Sequence, residues 1–361
     1  MHNIKVLDCT LRDGGYVNNW SFGQENAQKI IFGLQKAKLD FIEIGFIGKK
    51  ETNSAQTLFN DFEKINAFLP KNYNKNSLLA MIAYGTFPLE KIPKIEASSI
   101  GGIRVIFKKD KKEEALKYCQ KIKEKGYKLF INPTYVDQYD DNEFLNLIKD
   151  VSNIEPYAFS IVDSLGVMKE NDILRLYFLI EQNLKKEIAL CFHSHNNLQL
   201  SFLNAQCLMK NCLNRELIID STIFGMGRGA GNLRSEFLAQ YINNNFMGEY
   251  DIVPILKIVD EEINPIFKKT PWGYSVPYHL AAVNHCHPNY AKFLSEKKLS
   301  TEKIDNLLAS IPKEKKITYD KDFIQQLFLN NFWCCIIKKQ KRSLWIYLKK
   351  HIAEFSNSVS K

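Results

Sequence analysis

The chain is 361 residues long, with 45% hydrophobic, 25% charged and 12% aromatic residues, proportions that exclude wholesale disorder, collagen-like repeats and a disulfide-stapled miniprotein. No apolar run reaches the roughly 18–20 residues needed to span a bilayer, and Met1–Lys5 lacks the apolar stretch of a secretory signal, so a soluble cytoplasmic protein is expected. The net charge of +9 is uneven: residues 251–361 hold 18 Lys/Arg against 11 Asp/Glu, whereas residues 1–250 hold 31 against 29, too balanced for a nucleic-acid footprint.

Short apolar or β-branched runs alternate with longer amphipathic stretches up to residue 247. The strands expected are Ile4–Asp8, Phe41–Phe46, Leu78–Ala83, Gly102–Phe107, Lys128–Asn132, Ala158–Val162, Ile188–His193 and Leu217–Asp220. Helices are expected over Gln24–Lys38, Lys111–Lys125, Asp141–Val151, Asn171–Lys185 and Leu198–Asn211. Eight strands alternating with helices in this length point to an α/β fold, a (β/α)8 TIM barrel with its active site on the βα loops. Residues 248–361 lose the alternation, carry five prolines between Pro265 and Pro312, and are expected to form a helical region at or near the barrel mouth. In that region Lys338–Arg342 and Lys349–Lys350 flank the apolar run Leu344–Leu348, which reads either as a helix end with a solvated basic face or as a docking helix. The eight cysteines show no CxxC spacing, and most lie in apolar segments, so they are expected to be reduced and structural.

Three motifs carry chemistry. In Leu190–Asn197, His193 and His195 stand two apart at the end of the seventh expected strand, so both imidazoles can face one ion; paired histidines also occur on wet strand ends. At the end of the first strand, Leu7–Tyr16 sets the carboxylate of Asp13 beside the guanidinium of Arg12, followed by two glycines that let the backbone turn closely. The first and seventh strands of an eight-stranded ring are separated only by the eighth, so Asp13 can complete a two-histidine, one-carboxylate set; a loop-capping Asp–Arg pair is the structural alternative. After the last strand, Asp220–Asn232 contains four glycines in seven positions, which suits either close backbone approach to a ligand or a tight structural turn. Asn132–Tyr135 and Asp163–Gly166 also face the mouth.

Taken together, Asp8–Gly14, His193–Asn197 and Gly229–Asn232 resemble the DRE-TIM metallolyase superfamily, over about residues 3–245 and in consistent order. That superfamily includes 4-hydroxy-2-oxovalerate aldolase, hydroxymethylglutaryl-CoA lyase and isopropylmalate synthase, and the aldolase branch fits best. The resemblance implies that Asp13, His193 and His195 bind a divalent ion, Mn2+ ahead of Mg2+, Co2+ or Zn2+, with Asn232 a further ligand or a support to the others. It implies that Arg12 stabilises a pyruvate-type enolate and that Ser164, with Asn132, lines the 2-keto acid pocket. One departure stands out: Tyr16 occupies the place where the aldolases carry a histidine, and neutral tyrosine is a poor base. Trp272–Tyr278 weakly resembles the stretch that supplies a catalytic tyrosine, making Tyr274 the candidate acid and Tyr278 its runner-up. His285 and His287, in Asn284–Tyr290, are candidate substrate contacts or simply satisfied histidines at a helix end.

The expected function is therefore a metal-dependent aldolase that cleaves or forms a 4-hydroxy-2-keto acid, its small-molecule partners being a 2-keto acid and an aldehyde. The alternatives are a Claisen-type acyltransferase using an acyl-CoA and a metal-bound scaffold that has lost catalysis. A homo-oligomer and a dehydrogenase partner that consumes the aldehyde are both compatible with this reading.

Overall fold

The computed structural model describes residues 3–49 and 53–331; the basic stretch 338–350 and Cys334–Cys335 lie outside the described residues. Nine strands are present among the described residues: β1 (Ile4–Asp8), β2 (Phe41–Ile47), β3 (Leu58–Phe59), β4 (Leu78–Ala83), β5 (Gly102–Phe107), β6 (Lys128–Pro133), β7 (Ala158–Asp163), β8 (Ala189–Ser194) and β9 (Leu217–Ser221). They pair in the order β1-β9-β8-β7-β6-β5-β4-β2, and the parallel pairing of Leu7 with Phe41 and Asp8 with Ile42 closes the ring between β1 and β2. The two-residue β3 lies outside that ring, on the end of β2. The result is an eight-stranded TIM barrel.

Period-two alternation divides each strand between two cores. Leu7, Phe41, Leu79, Phe130, Ala158, Ala189, Cys191 and Ile218 cluster in the barrel interior. Their chain neighbours Val6, Ile42, Leu78, Leu129, Phe159, Leu190 and Ile219 face the helices in a second, larger cluster. Helix Asp141–Ile154 illustrates why the helices form where they do. Asp140 and Glu143 cap its start reciprocally, and Phe144, Leu147, Ile148 and Val151 bury one face at helical spacing. Between β4 and β5 the sequence gives no helix. Pro88 and Pro93 withhold amide donors there, and two short 3-10 turns, Leu89–Lys91 and Ile95–Ala97, make the crossing.

Helices continue after the barrel. Ile255 and Ile258 of helix Ile252–Ile258 join the barrel's outer core. Helices Val276–Val283, Pro288–Ser295 and Thr301–Ala309 instead gather around a separate cluster that includes Tyr290, Leu294 and Leu308. These helices dock on the barrel through Ala282, which clusters with Leu165 and Val167, and through two polar contacts: the Tyr135 hydroxyl donates to the Ile317 carbonyl and Lys108 Nζ donates to Thr318 Oγ1, each at 3.2 Å. No described helix is long and apolar enough to cross a membrane. All six described cysteines are buried free thiols.

Asp8 faces away from the barrel axis and is wholly buried. Ser235 Oγ donates to its Oδ2 at 2.7 Å and the Thr10 amide to its Oδ1 at 2.9 Å. Burial outweighs both bonds and pushes the carboxyl up to about 6. A raised acid binds its proton more tightly when folded, so the stability it confers is full below about pH 4 and lost as pH rises to about 6. Urea denaturation of wild type and Asp8→Asn across this range should show the wild type losing up to about 3 kcal/mol relative to the variant between about pH 4 and pH 7. A difference independent of pH would refute this assignment.

Candidate active site

The site begins with a π-helical turn, Thr10–Gly14, directly after β1, all five residues of which are buried. At its start the amides of Arg12 and Asp13 both donate to the Cys9 carbonyl, at 3.0 and 2.7 Å, and both side chains reach the barrel mouth. Thr57 Oγ1 donates to the Leu11 carbonyl at 2.6 Å and Trp20 Nε1 to the Arg12 carbonyl at 2.7 Å, which pins the turn from outside. Gly15 has an ordinary helical φ of −57°, so a turn does not require glycine there. Packing does: a Cβ would lie 2.0 Å from Cδ1 of Trp20.

Arg12 Nε donates to Glu43 Oε2 at 2.6 Å and its Nη1 to Asp13 Oδ1 at 2.5 Å, leaving Nη2 as the donor available to a ligand. Burial alone would raise the Asp13 carboxyl, but the Arg12 guanidinium first, with the Asn232 hydrogen bond, holds it well below the ordinary carboxylate range. From β8, His193 hydrogen-bonds Asp220 Oδ2 through Nδ1 at 2.9 Å. Asp220 is held ionised: burial opposes the charge, and Arg104 with His193 overcomes it. The proton of that bond therefore sits on Nδ1, which leaves Nε2 as the ring nitrogen facing a ligand. Burial pushes His195 down to about 3, only partly offset by Asp13, so its ring is neutral.

Ligand atoms of Asp13, His193 and His195 all lie within 4.8 Å of one another. Asn232 Nδ2 donates to Asp13 Oδ2 at 2.5 Å, while Asn232 Oδ1 and His195 Nδ1 are buried without a hydrogen-bond partner among the described residues. Orphaned acceptors beside a two-histidine, one-carboxylate set suit a divalent ion that prefers nitrogen and oxygen ligands. Cys9, His193 and Asp220 also lie within 4.8 Å of one another. That second group is a poor site, because Asp220 is already bonded to Arg104 and His193, and burial keeps the Cys9 thiol protonated.

A cavity of about 360 Å³ opens over this cluster, lined by Arg12, Asp13, Tyr16, His193 and His195 with Asn132 and Ser164. Ser164 Oγ accepts the Tyr135 amide at 2.9 Å, and Asn132 Oδ1 is buried without a partner among the described residues. Tyr16 packs edge-on against Trp20 and lies under the Arg228 guanidinium, 5.3 Å from its ring centre. Protein around its hydroxyl end raises the phenol above its ordinary value, with Arg228 opposing. The glycine loop after β9 serves as a structural turn: Gly231 has φ +83°, and a Cβ there would lie 2.1 Å from the Gly225 carbonyl oxygen. Asn197 ties this loop to the end of β7, accepting from the Ala230 amide and donating to the Leu165 carbonyl, both at 2.8 Å.

Tyr278 and His287 are brought to a neighbouring cavity of about 500 Å³, which Tyr16 also lines. Two expected residues lie elsewhere. Tyr274 is 59% exposed and lines neither cavity, because the chain turns at Gly273 and Trp272 is the residue that packs inward, its indole donating to the Phe224 carbonyl at 3.1 Å. His285, exposed with φ +54°, forms the turn between two helices and also lines neither cavity.

Sequence reasoning missed Glu43 and Arg104. Arg104 is fully buried, its Nη2 donating to Asp220 Oδ2 at 2.6 Å and its Nη1 to Glu43 Oε2 at 3.5 Å. The available signal was a single charge inside an otherwise apolar strand, in Phe41–Ile47 and in Gly102–Phe107. Removing Arg104 takes the one guanidinium from buried Asp220 and the second from Glu43, so Arg104→Met should cost about 3–5 kcal/mol in urea denaturation. An unchanged midpoint would show the ladder to be energetically idle.

Residues 3–258 match the HMGL-like family model. A 4-hydroxy-2-oxovalerate aldolase of Comamonas testosteroni is 26% identical over 264 residues, 71% of this chain and 73% of its own. Oxaloacetate decarboxylase of Mycobacterium tuberculosis is 22% identical over 284 residues, 76% of this chain and 80% of its own. Among solved structures, an N-terminal domain from Bacteroides vulgatus superposes with a TM-score of 0.68 at 24% identity, covering 84% of this chain and 99% of that one. Hydroxymethylglutaryl-CoA lyase of Pseudomonas aeruginosa does so with a TM-score of 0.58 at 14% identity, covering 82% and 98%; both likenesses are of fold. With the family model matched over most of its length, the chain belongs to the HMGL-like family, the DRE-TIM metallolyases.

Proposed function

We propose that this carbon–carbon lyase is a divalent-metal-dependent aldolase that cleaves or forms a 4-hydroxy-2-keto acid through a pyruvate-type enolate. The observation that carries the reading is one cavity wall bearing Asp13, His193 and His195 beside the guanidinium of Arg12. Relatives named 4-hydroxy-2-oxovalerate aldolase and oxaloacetate decarboxylase support it, since both names describe reactions of 2-keto acids. Asp13, His193 and His195 would hold the ion, with Asn232 beside them. When bound, it supplies Lewis acidity toward the carboxylate and carbonyl oxygens of the 2-keto acid. Mn2+ is the first choice, ahead of Mg2+, Co2+ and Zn2+.

The remaining work falls to the chain's own groups. Arg12 Nη2 donates to the oxygen on which enolate charge develops as the C3–C4 electron pair moves into the ketone. Glu43 and Asp13 fix that guanidinium, so it costs little reorganisation when the charge appears. Ser164 and Asn132 line the keto-acid end. Tyr16 lines the same cavity and is assigned to the aldehyde oxygen. Burial holds the phenol proton more firmly than in free tyrosine, which suits a proton donor. In the synthetic direction Tyr16 gives its proton to the forming alkoxide; in cleavage its phenolate takes that proton back. Tyr274 has no role in this scheme.

The test is isotope exchange by the full-length chain, stripped of metal, reloaded with Mn2+ and incubated with pyruvate in D2O. Proton NMR should show metal-dependent loss of the methyl signal. Asp13→Ala should abolish it, and Arg12→Lys should slow it about 10²–10³-fold. Absence of exchange with Mn2+ demonstrably bound would sink the pyruvate-enolate reading. Because Asp220 sets the tautomer of His193, Asp220→Asn should weaken Mn2+ binding about 10–100-fold in a calorimetric titration. Unaltered affinity would count against His193 as a ligand.

A further inference from the structure

The two cavities adjoin: Tyr16, Lys108, Tyr135 and Arg228 line both. Their electrostatics differ. The inner one sets Asp13 and Asp110 among Arg12, Lys108, Lys111 and Arg228, whereas the outer one is lined by Lys108, Arg228 and Lys292 and by no carboxylate. Those three cations come from separate parts of the fold. Lys108 follows β5, Arg228 lies in the glycine loop after β9, and Lys292 belongs to helix Pro288–Ser295 of the C-terminal region.

None of the three has a carboxylate partner among the described residues, although neighbours such as Lys109 and Lys112 are paired with Glu143 and Asp150. Lys108 Nζ has Thr318 Oγ1 at 3.2 Å. Arg228 Nη1 lies 3.2 Å from His287 Nε2, and the Arg228 Nε is buried with no partner among the described residues. Burial first, then the positive field of Arg228 and Lys108, lowers His287 to about 3, so this histidine stays neutral beside the cations. Gathering like charges around one cavity without a counter-charge costs stability, and an anionic ligand recovers that cost. Arg228 can grip such an anion through two parallel N–H groups, while the lysines act as point charges.

The geometry points to an outer subsite for an anionic group, phosphate or carboxylate, carried on the aldehyde half of the substrate and held by Lys108, Arg228 and Lys292. This inference rests on the aldolase reading. The keto-acid end lies at Asp13 and the histidines, the carbonyl that becomes the 4-hydroxyl lies at Tyr16, and the rest of the chain leads past Arg228 into the outer cavity. Tyr278, Tyr319 and Thr270 add hydroxyl groups to its wall, so intermediate carbons bearing hydroxyls would find partners there.

The experiment uses the Mn2+-loaded full-length chain with pyruvate and two pairs of aldehydes matched in length. These are glyceraldehyde against glyceraldehyde 3-phosphate, and butanal against succinic semialdehyde. In at least one pair the anionic member should have a kcat/KM about 10–100-fold higher, and the pair that responds distinguishes phosphate from carboxylate. Lys108 and Lys292 are exposed, so their removal opens no core. Lys292→Ala and Lys108→Ala should each cut the anionic-to-neutral ratio about tenfold, mainly through KM. A ratio near one in both pairs, or one that neither variant moves, overturns the subsite.

A second readout needs no catalysis: saturable binding of inorganic phosphate or acetate to the metal-free chain by calorimetry, lost in Lys292→Glu. Pyruvate exchange without anion preference removes the subsite and leaves the aldolase reading intact. Anion binding that depends on Lys292 without pyruvate exchange removes the aldehyde assignment and the aldolase reading together. If acetyl-CoA then displaces the bound anion, the subsite belongs to the Claisen-type alternative.

Discussion

A ladder of alternating charge, shut inside the C-terminal end of the barrel, is the constraint on which the site depends. It runs from Asp13 to Arg12, Glu43, Arg104, Asp220 and His193, each step a hydrogen bond or ion pair between side chains nearly closed to water. Three carboxylates face two guanidinium groups, so the ladder carries one unbalanced negative charge, and its unbalanced end is the Asp13–histidine cluster. Buried charge of this kind is weak evidence of stability, because desolvation offsets much of the attraction. Its value is geometric. Arg12 cannot swing toward solvent without abandoning Glu43, and the His193 ring cannot turn without abandoning Asp220. The proposed metal ligands and the proposed enolate donor are thus fixed before anything binds.

The helical region beyond the barrel has its own apolar cluster, yet its polar edge meets the barrel mouth at Thr318, His287 and Lys292. A barrel alone supplies the ladder and the inner cavity. The outer cavity exists only because the extra helices wall it, which gives this region a part in deciding what reaches the site.

Much of this was legible from the chain alone, and the legible part is local. The eight barrel strands stand where short apolar runs placed them, and Asp13, His193 and His195 meet because each sits within a few residues of a strand end. The rest depends on register across the ring. Glu43 and Arg104 are isolated charges in apolar strands, and nothing in either run says that they share a barrel with Asp220. Arg228 and His287 meet across 59 positions, beyond any local pattern. Tyr274 shows the opposite failure. A motif-like stretch suggested an inward tyrosine, and one glycine turn gave the inward position to Trp272 instead.

Tyr135 adds a mechanical dimension. Its backbone φ of +56° is one that non-glycine residues rarely adopt, so the segment is held rather than relaxed. One end of the residue, its amide, is anchored on Ser164; the other, its hydroxyl, is anchored on the Ile317 carbonyl of the C-terminal region. It is therefore a strut between the two cavities. A shift of the helices that wall the outer chamber therefore either breaks that anchor or pulls on Ser164 in the inner one, which couples the walls of the two cavities.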